Sequence, residues 1–196
     1  MKKVYVSWND VQRQVQELIR QMWIDGWTPD YVVGITRGGL TPANLLSQYL
    51  GCRMETLNVS FRDNTADCES NLWMAEDAFG YKTYQGEVPV PEGTVMTDPA
   101  LRKKILIVDD INDSGATLSW IHKDWPSGCM PNDPAWQSIW GDNVRVAVLY
   151  DNAASTSTLS ANYASENINK YEDPQWIVFP WEEWWRKWHP EEQHRD

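Results

Sequence analysis

The chain has 196 residues, with 28 Asp and Glu against 17 Lys and Arg, a formal net charge of -11 and a sequence pI of about 4.7. That acidity argues against a general binder of nucleic acid or of an anionic membrane surface, because both need clustered cations to offset phosphate charge; a phosphate-bearing ligand must be held locally. The length suits one domain over 1–196 that buries its core without staples, and the widely spaced Cys52, Cys68 and Cys129 form no CxxC pair, which suits a reducing compartment.

No apolar run reaches membrane-spanning length, and the opening MKKVYVSWNDVQ turns polar too soon for a signal-peptide core, so the chain reads as soluble and cytoplasmic. Ser7 and Asp10 form a capping-box pattern, and Val11, Val15, Leu18, Ile19 and Met22 then recur at helical spacing up to Gly26, predicting an amphipathic helix. The run YVVGIT, residues 31–36, predicts a buried strand. A second helix follows, with Thr41 as its cap, Pro42 in its first turn, an apolar face of Leu45, Leu46 and Tyr49, and Gly51 at its end. Residues 54–60 read as another strand. Strand, glycine turn, helix and strand in this order predict a partly parallel sheet.

From 62 to 102 the pattern weakens into a polar stretch containing Gly and Pro, expected to be a lid, an extra hairpin or a mobile segment. Order returns with ILIV at 105–108, a central parallel strand that ends in Asp109 and Asp110. A turn leads into a helix over 117–125. A second insert at 126–143 precedes the strand VRVAVLY at 144–150. The Trp-rich C-terminal segment predicts a strand, a break at Pro180, an aromatic helical turn and a charged tail. Thirteen tryptophans suit a core, an interface or a stacking pocket alike, and composition does not choose among them.

ILIVDDINDSGAT, residues 105–117, carries the most chemistry. A buried strand delivers two carboxylates at its C-terminal end, where open α/β sheets place ligands. The following turn is built of small residues and runs into a helix N-terminus, which makes a phosphate cradle without a basic protein. Adjacent carboxylates suit ribose hydroxyls or a Mg2+ ion. Together they describe a ribose 5-phosphate site.

VDDINDSGAT resembles the phosphoribosyl-pyrophosphate signature of the type I phosphoribosyltransferases. The likeness extends to the xanthine-guanine members through the start VYVSWNDVQ, the loop TRGGLTP at 36–42 and the ending WIVFPW at 176–181, in the family's order along almost the whole chain. It implies an α/β fold, a mainly parallel sheet flanked by helices with a small C-terminal hood. It also implies a Mg2+-dependent homo-oligomeric enzyme that transfers ribose 5-phosphate from phosphoribosyl pyrophosphate to a purine base, releasing pyrophosphate. On that resemblance Asp109 and Asp110 hold the ribose hydroxyls directly or through Mg2+, and Asp113 is the candidate proton acceptor near the purine N7. Ser114, Gly115, Ala116 and Thr117 cradle the 5-phosphate. Arg37, with the Gly38 and Gly39 backbone, binds pyrophosphate, and the family commonly has a cis peptide just before that Arg. Trp176 stacks on the base and the Ile177 backbone contacts its edge. The alternative is a catalytically weak regulator of the same fold that binds phosphoribosyl pyrophosphate or a nucleotide.

Two positions depart from the pattern. Asn112 stands where the family is usually apolar. Asp151, followed by Asn152, stands where the 6-oxopurine enzymes carry a lysine that donates to the purine O6. A carboxylate facing the base disfavours xanthine, which ionises near neutral pH, and admits adenine, with Asn152 as a substitute amide donor after a one-residue shift. His122, His189 and His194 match no metal-ligand spacing.

Overall fold

The computed structural model describes residues 1–61, 67–82 and 96–182. Strand β1 (Lys2–Tyr5) leads into helix α1 (Trp8–Asp25). Both arms of the capping box form: the Asp10 amide donates to Ser7 Oγ at 3.2 Å and the Ser7 amide to the Asp10 carboxylate at 3.0 Å, satisfying donors that a helix start leaves open. Gly26 ends α1 in the left-handed region at φ 64°, which a residue without a β-carbon adopts at little cost. The buried stripe of α1 contains all five residues whose spacing predicts the helix, and Gln14 besides.

Strand β2 (Tyr31–Thr36), helix α2 (Leu40–Leu50) and strand β3 (Arg53–Ser60) form a parallel unit. Helix α2 does not start at a Thr41 cap. Gly39 occupies the cap position and makes no side-chain cap bond, because the turn runs against the end of the neighbouring strand and a β-carbon there would overlap the Val108 carbonyl.

Within the stretch 62–102 the described residues, 67–82 and 96–102, are more ordered than its polarity suggests. It contains β4 (Asp67–Cys68), α3 (Leu72–Phe79), and the antiparallel pair β5 (Tyr81–Lys82) and β6 (Met96–Thr97). Met74, Ala75, Ala78 and Phe79 of α3 are buried in the core, so this part is a packed helix and not a lid. The remainder of the expected lid, 62–66 and 83–95, lies outside the described residues.

Then come β7 (Ile105–Asn112), α4 (Ala116–Gly128), α5 (Trp136–Ile139), β8 (Val144–Asn152), β9 (Tyr163–Ile168) and β10 (Gln175–Val178). Strand β7 runs past the acidic pair to Asn112, and α4 starts one residue earlier than expected and carries Pro126 in its last turn. Among the described residues the main sheet has the order β4-β3-β2-β7-β8-β9, parallel except for β4. Side chains alternate along each strand. Ile105, Ile107, Val146 and Val148 therefore face α3, α4 and α5, while Leu106, Val108, Ala147 and Leu149 face α1 and α2. A central parallel strand covered on both sides must be apolar throughout, as ILIV is.

The insert at 126–143 packs tryptophans under this sheet: Trp136 is buried, and its ring lies 5.8 Å from that of Trp140, which in turn is 5.6 Å from Trp125. The hood takes the form of β10 paired in parallel with β1, Lys3 opposite Trp176 and Val4 opposite Ile177. The aromatic helical turn and charged tail expected beyond Trp181 fall mostly at 183–196, outside the described residues, as do His189 and His194. No helix among the described residues is long and apolar enough to cross a membrane.

Candidate active site

In sheet order β7 lies on one side of β2 and β3 on the other, so the chain's progress across the sheet reverses between β2 and β7. Such a switch point opens a crevice at the strand C-termini, where α/β proteins place their ligands. A cleft of about 830 Å³ occupies that position, lined by the turn after β2, the end of β7 with the start of α4, and β10 opposite.

The turn after β2 contributes Thr36, Arg37 and Gly38. The Thr36–Arg37 peptide is cis, and Thr36 Oγ1 donates to Asn58 Oδ1 at 2.9 Å across the β2–β3 pair. Arg37 is exposed, whereas Gly39 is buried beneath it.

The end of β7 contributes every residue from Asp109 to Thr117. Asp109 is half-buried and accepts from the Asp110 amide at 2.9 Å. Asp110 is buried. Ser114 Oγ accepts from the Ala116 amide at 3.3 Å, and the Gly115 carbonyl receives the Ser119 amide, so the turn winds directly into α4. Gly115 takes φ +85° and is pressed against the loop after β8, where a side chain would overlap the Ser157 amide. From that loop Thr156 also donates to the Ser114 carbonyl through its amide and its hydroxyl, each at 3.2 Å.

Asp113 is met from two sides. Lys170 Nζ donates to Asp113 Oδ2 at 2.8 Å, and Asn152 Nδ2 donates to the Asp113 backbone carbonyl at 3.0 Å and to Oδ1 at 3.3 Å. Asn152 is buried, and its own oxygen accepts from the Lys170 and Ala154 amides. It braces the Asp113 turn from below and is not part of the cleft wall. On the facing side, β10 presents half-exposed Trp176 and buried Ile177.

Asp151 departs from expectation. Its carboxylate accepts from Asn112 Nδ2 at 2.8 Å, in the register that sets Asn112 beside Asp151 on β7 and β8, and it does not line the cleft. Ser155 Oγ completes the group by donating to Asn112 Oδ1 at 3.1 Å. The two departures from the family pattern are thus one cross-strand pair: a buried amide needs an acceptor, and Asp151 supplies it. In this structure the Asp151 carboxylate is turned to Asn112 and is not among the residues that line the cleft.

Sequence reasoning missed Lys170, Asn58 and Glu182, all of which line the cleft. Lys170 belongs to no motif; its one signal is that it is the single cation in the acidic stretch NKYEDP shortly before Trp176. Among the described residues the charged groups of the cleft are Arg37 and Lys170 against Asp67, Asp109, Asp110, Asp113 and Glu182. A surplus of hard carboxylate oxygens suits a divalent cation of the Mg2+ class. Among the described residues no cluster of three or more His, Cys, Asp or Glu would hold a metal unaided, so such an ion would complete its shell with ligand oxygens and water.

Fold and cleft together define an open α/β protein with its site at the topological switch point. The chain belongs to the phosphoribosyl transferase domain family, whose model matches residues 5–187. It is 27% identical over 187 residues to a xanthine-guanine phosphoribosyltransferase of Cereibacter sphaeroides, covering 92% of this chain and 87% of that one. Its fold is similar to a purine phosphoribosyltransferase from Pyrococcus horikoshii, with TM-score 0.56 and 24% identity over 92% of this chain and 94% of the other. It is likewise similar to the Helicobacter pylori xanthine-guanine-hypoxanthine phosphoribosyltransferase, with TM-score 0.57 and 20% identity over the same shares.

Proposed function

We propose that this chain is a Mg2+-dependent purine phosphoribosyltransferase, a pentosyltransferase that forms a nucleoside monophosphate from phosphoribosyl pyrophosphate and a purine base. The observation that carries the reading is the convergence on one cleft of the Arg37–Gly38 turn, the Asp109–Asp110 pair, the 113–117 turn and Trp176. These are the parts such a substrate pair requires, and family membership and the xanthine-guanine relative support them.

In this reading the 113–117 turn and the start of α4 take the 5-phosphate, because backbone amides at a helix N-terminus carry positive partial charge. Asp109 and Asp110 accept from the ribose hydroxyls, and their carboxylates would hold a Mg2+ ion. When bound, that ion offsets charge on the pyrophosphate. Arg37 takes the far phosphates as a planar multi-donor cation. A purine nitrogen then forms a bond to C1 of the ribose as the C1–oxygen bond to pyrophosphate breaks with its electron pair, and Asp113 accepts the proton released from the base. Trp176 orients the ring so that this nitrogen lies in line with the departing oxygen.

The test is pyrophosphate release from phosphoribosyl pyrophosphate and Mg2+ in the presence of adenine, guanine, hypoxanthine or xanthine. Release dependent on one or more of these bases is expected. Nucleotide binding with no release in any of the four mixtures would replace this reading with that of a binding regulator.

A further inference from the structure

We propose that Lys170 is the specificity-determining residue at the base end of the cleft, selecting purines that present a carbonyl oxygen over those that present an amino group. This rests on the transferase reading for the ligand being a purine. Lys170 lies in the connection between β9 and β10, an element that carries none of the motifs of the site. Yet its side chain is only 16% exposed and lines the cleft, unusual for a residue type that normally keeps its ammonium in water.

Three contacts fix it there. Its backbone amide donates to Asn152 Oδ1 at 3.0 Å, its Nζ donates to Asp113 Oδ2 at 2.8 Å, and that nitrogen lies 5.9 Å from the centre of the Trp176 ring. The ammonium is therefore held between the residue proposed to stack on the base and the residue proposed to accept its proton. A base lying on Trp176 brings its edge to this cation. An ammonium has three donors and no acceptor, so the bond to Asp113 leaves donors for a ligand oxygen.

The opposing carboxylate that would blunt this effect is turned away, since Asp151 accepts from Asn112 outside the cleft. The other cation lining the cleft among the described residues, Arg37, belongs to the turn after β2. A carbonyl facing Lys170 gains a charge-assisted hydrogen bond. An amino group there sets donor against donor and leaves the remaining N–H groups of a partly buried ammonium unpaired although Asp113 still balances its charge, and a site built to pair one polar group discriminates against its mismatch. Xanthine is thereby admitted, the reverse of what an Asp151 carboxylate at the base would impose.

The experiment is titration calorimetry of GMP, IMP and AMP, with phosphoribosyl pyrophosphate as a ligand that lacks a base, on the wild-type protein, Lys170→Gln and Lys170→Arg, all with Mg2+. The wild type is expected to bind GMP and IMP at least tenfold more tightly than AMP. Lys170→Gln should bring the three within about threefold by weakening GMP and IMP alone, with phosphoribosyl pyrophosphate unmoved, and Lys170→Arg should keep the preference. Equal loss of all four ligands in Lys170→Gln would reduce Lys170 to a brace for Asp113 and overturn the proposal. So would a wild type without preference, or a preference that survives Lys170→Gln. Pyrophosphate release without nucleotide preference sinks this proposal alone; a Lys170-dependent preference without release sinks the transferase reading alone; a wild type that binds none of the nucleotides sinks both.

Discussion

Gly38 and Asp110 are packed so closely that a β-carbon on Gly38 would overlap both carboxylate oxygens of Asp110. The turn after β2 and the end of β7, which form the two sides of the switch-point crevice, are therefore fitted to each other with no room for a methyl group. Gly38→Ala is expected to push the turn from the carboxylate, lowering stability by about 1–3 kcal/mol, as overpacking at a tight contact does. Affinity for phosphoribosyl pyrophosphate should fall with it. Thermal unfolding and calorimetry of the variant check both, and a wild-type-like affinity would separate this contact from the ligand.

The acidic pair makes a prediction about binding alone. Replacing both Asp109 and Asp110 by Asn removes the charged acceptors and keeps the shape, so Mg2+-dependent affinity for phosphoribosyl pyrophosphate should weaken by about 2 kcal/mol or more, roughly thirtyfold. Without Mg2+ the difference between variant and wild type should shrink, since the donor set then has less charge to share. Titrations with and without the metal measure this directly.

Asp151→Ala separates stability from specificity. Asn112 is buried, and Asp151 is its cross-strand acceptor, so the variant strands an amide donor and should lose about 1–3 kcal/mol in a denaturant titration. The ranking of the four purine bases should stay the same. A changed ranking would return Asp151 to the base pocket.

High pH should unfold the protein through groups held protonated in the core. Burial pushes the Cys129 thiol up to about 11 and the Tyr163 phenol up to about 12, and raises Tyr31 as well. In the unfolded chain a thiol releases its proton near 8.5 and a phenol near 10. Between those values and the folded ones the unfolded state binds fewer protons, so stability falls as pH rises. Urea midpoints should be flat from pH 7 to about 8.5, decline from about pH 9 and steepen above 10. Cys129→Ala should flatten the early part of that decline.

Legibility in the sequence followed the range of the interactions. Helix α1 was readable because its buried stripe and its Ser7–Asp10 cap are both local. Strand β7 was readable because both of its faces are covered and its run is apolar throughout. The 105–117 motif was readable because its chemistry is contiguous. Helix α3 was hidden because it buries just four residues and sits in polar surroundings. The pairing of Asp151 is not legible along the chain because its partner, Asn112, is a neighbour across the sheet. Lys170 was invisible for the same reason: what makes it a cleft residue is the path of one connection, set by Asn152 and Asp113 beneath it.

The parallel pairing of β1 with β10 has a consequence for how the site comes into being. Lys3 and Trp176 are register partners, with nearly the whole chain between them. During synthesis β1 leaves the ribosome long before β10, so the sheet under the 113–117 turn can assemble before the wall that carries Trp176 exists. Shortening or burdening residues 2–5 is then felt first at the Trp176 end of the cleft, while the end formed by the 113–117 turn stays intact.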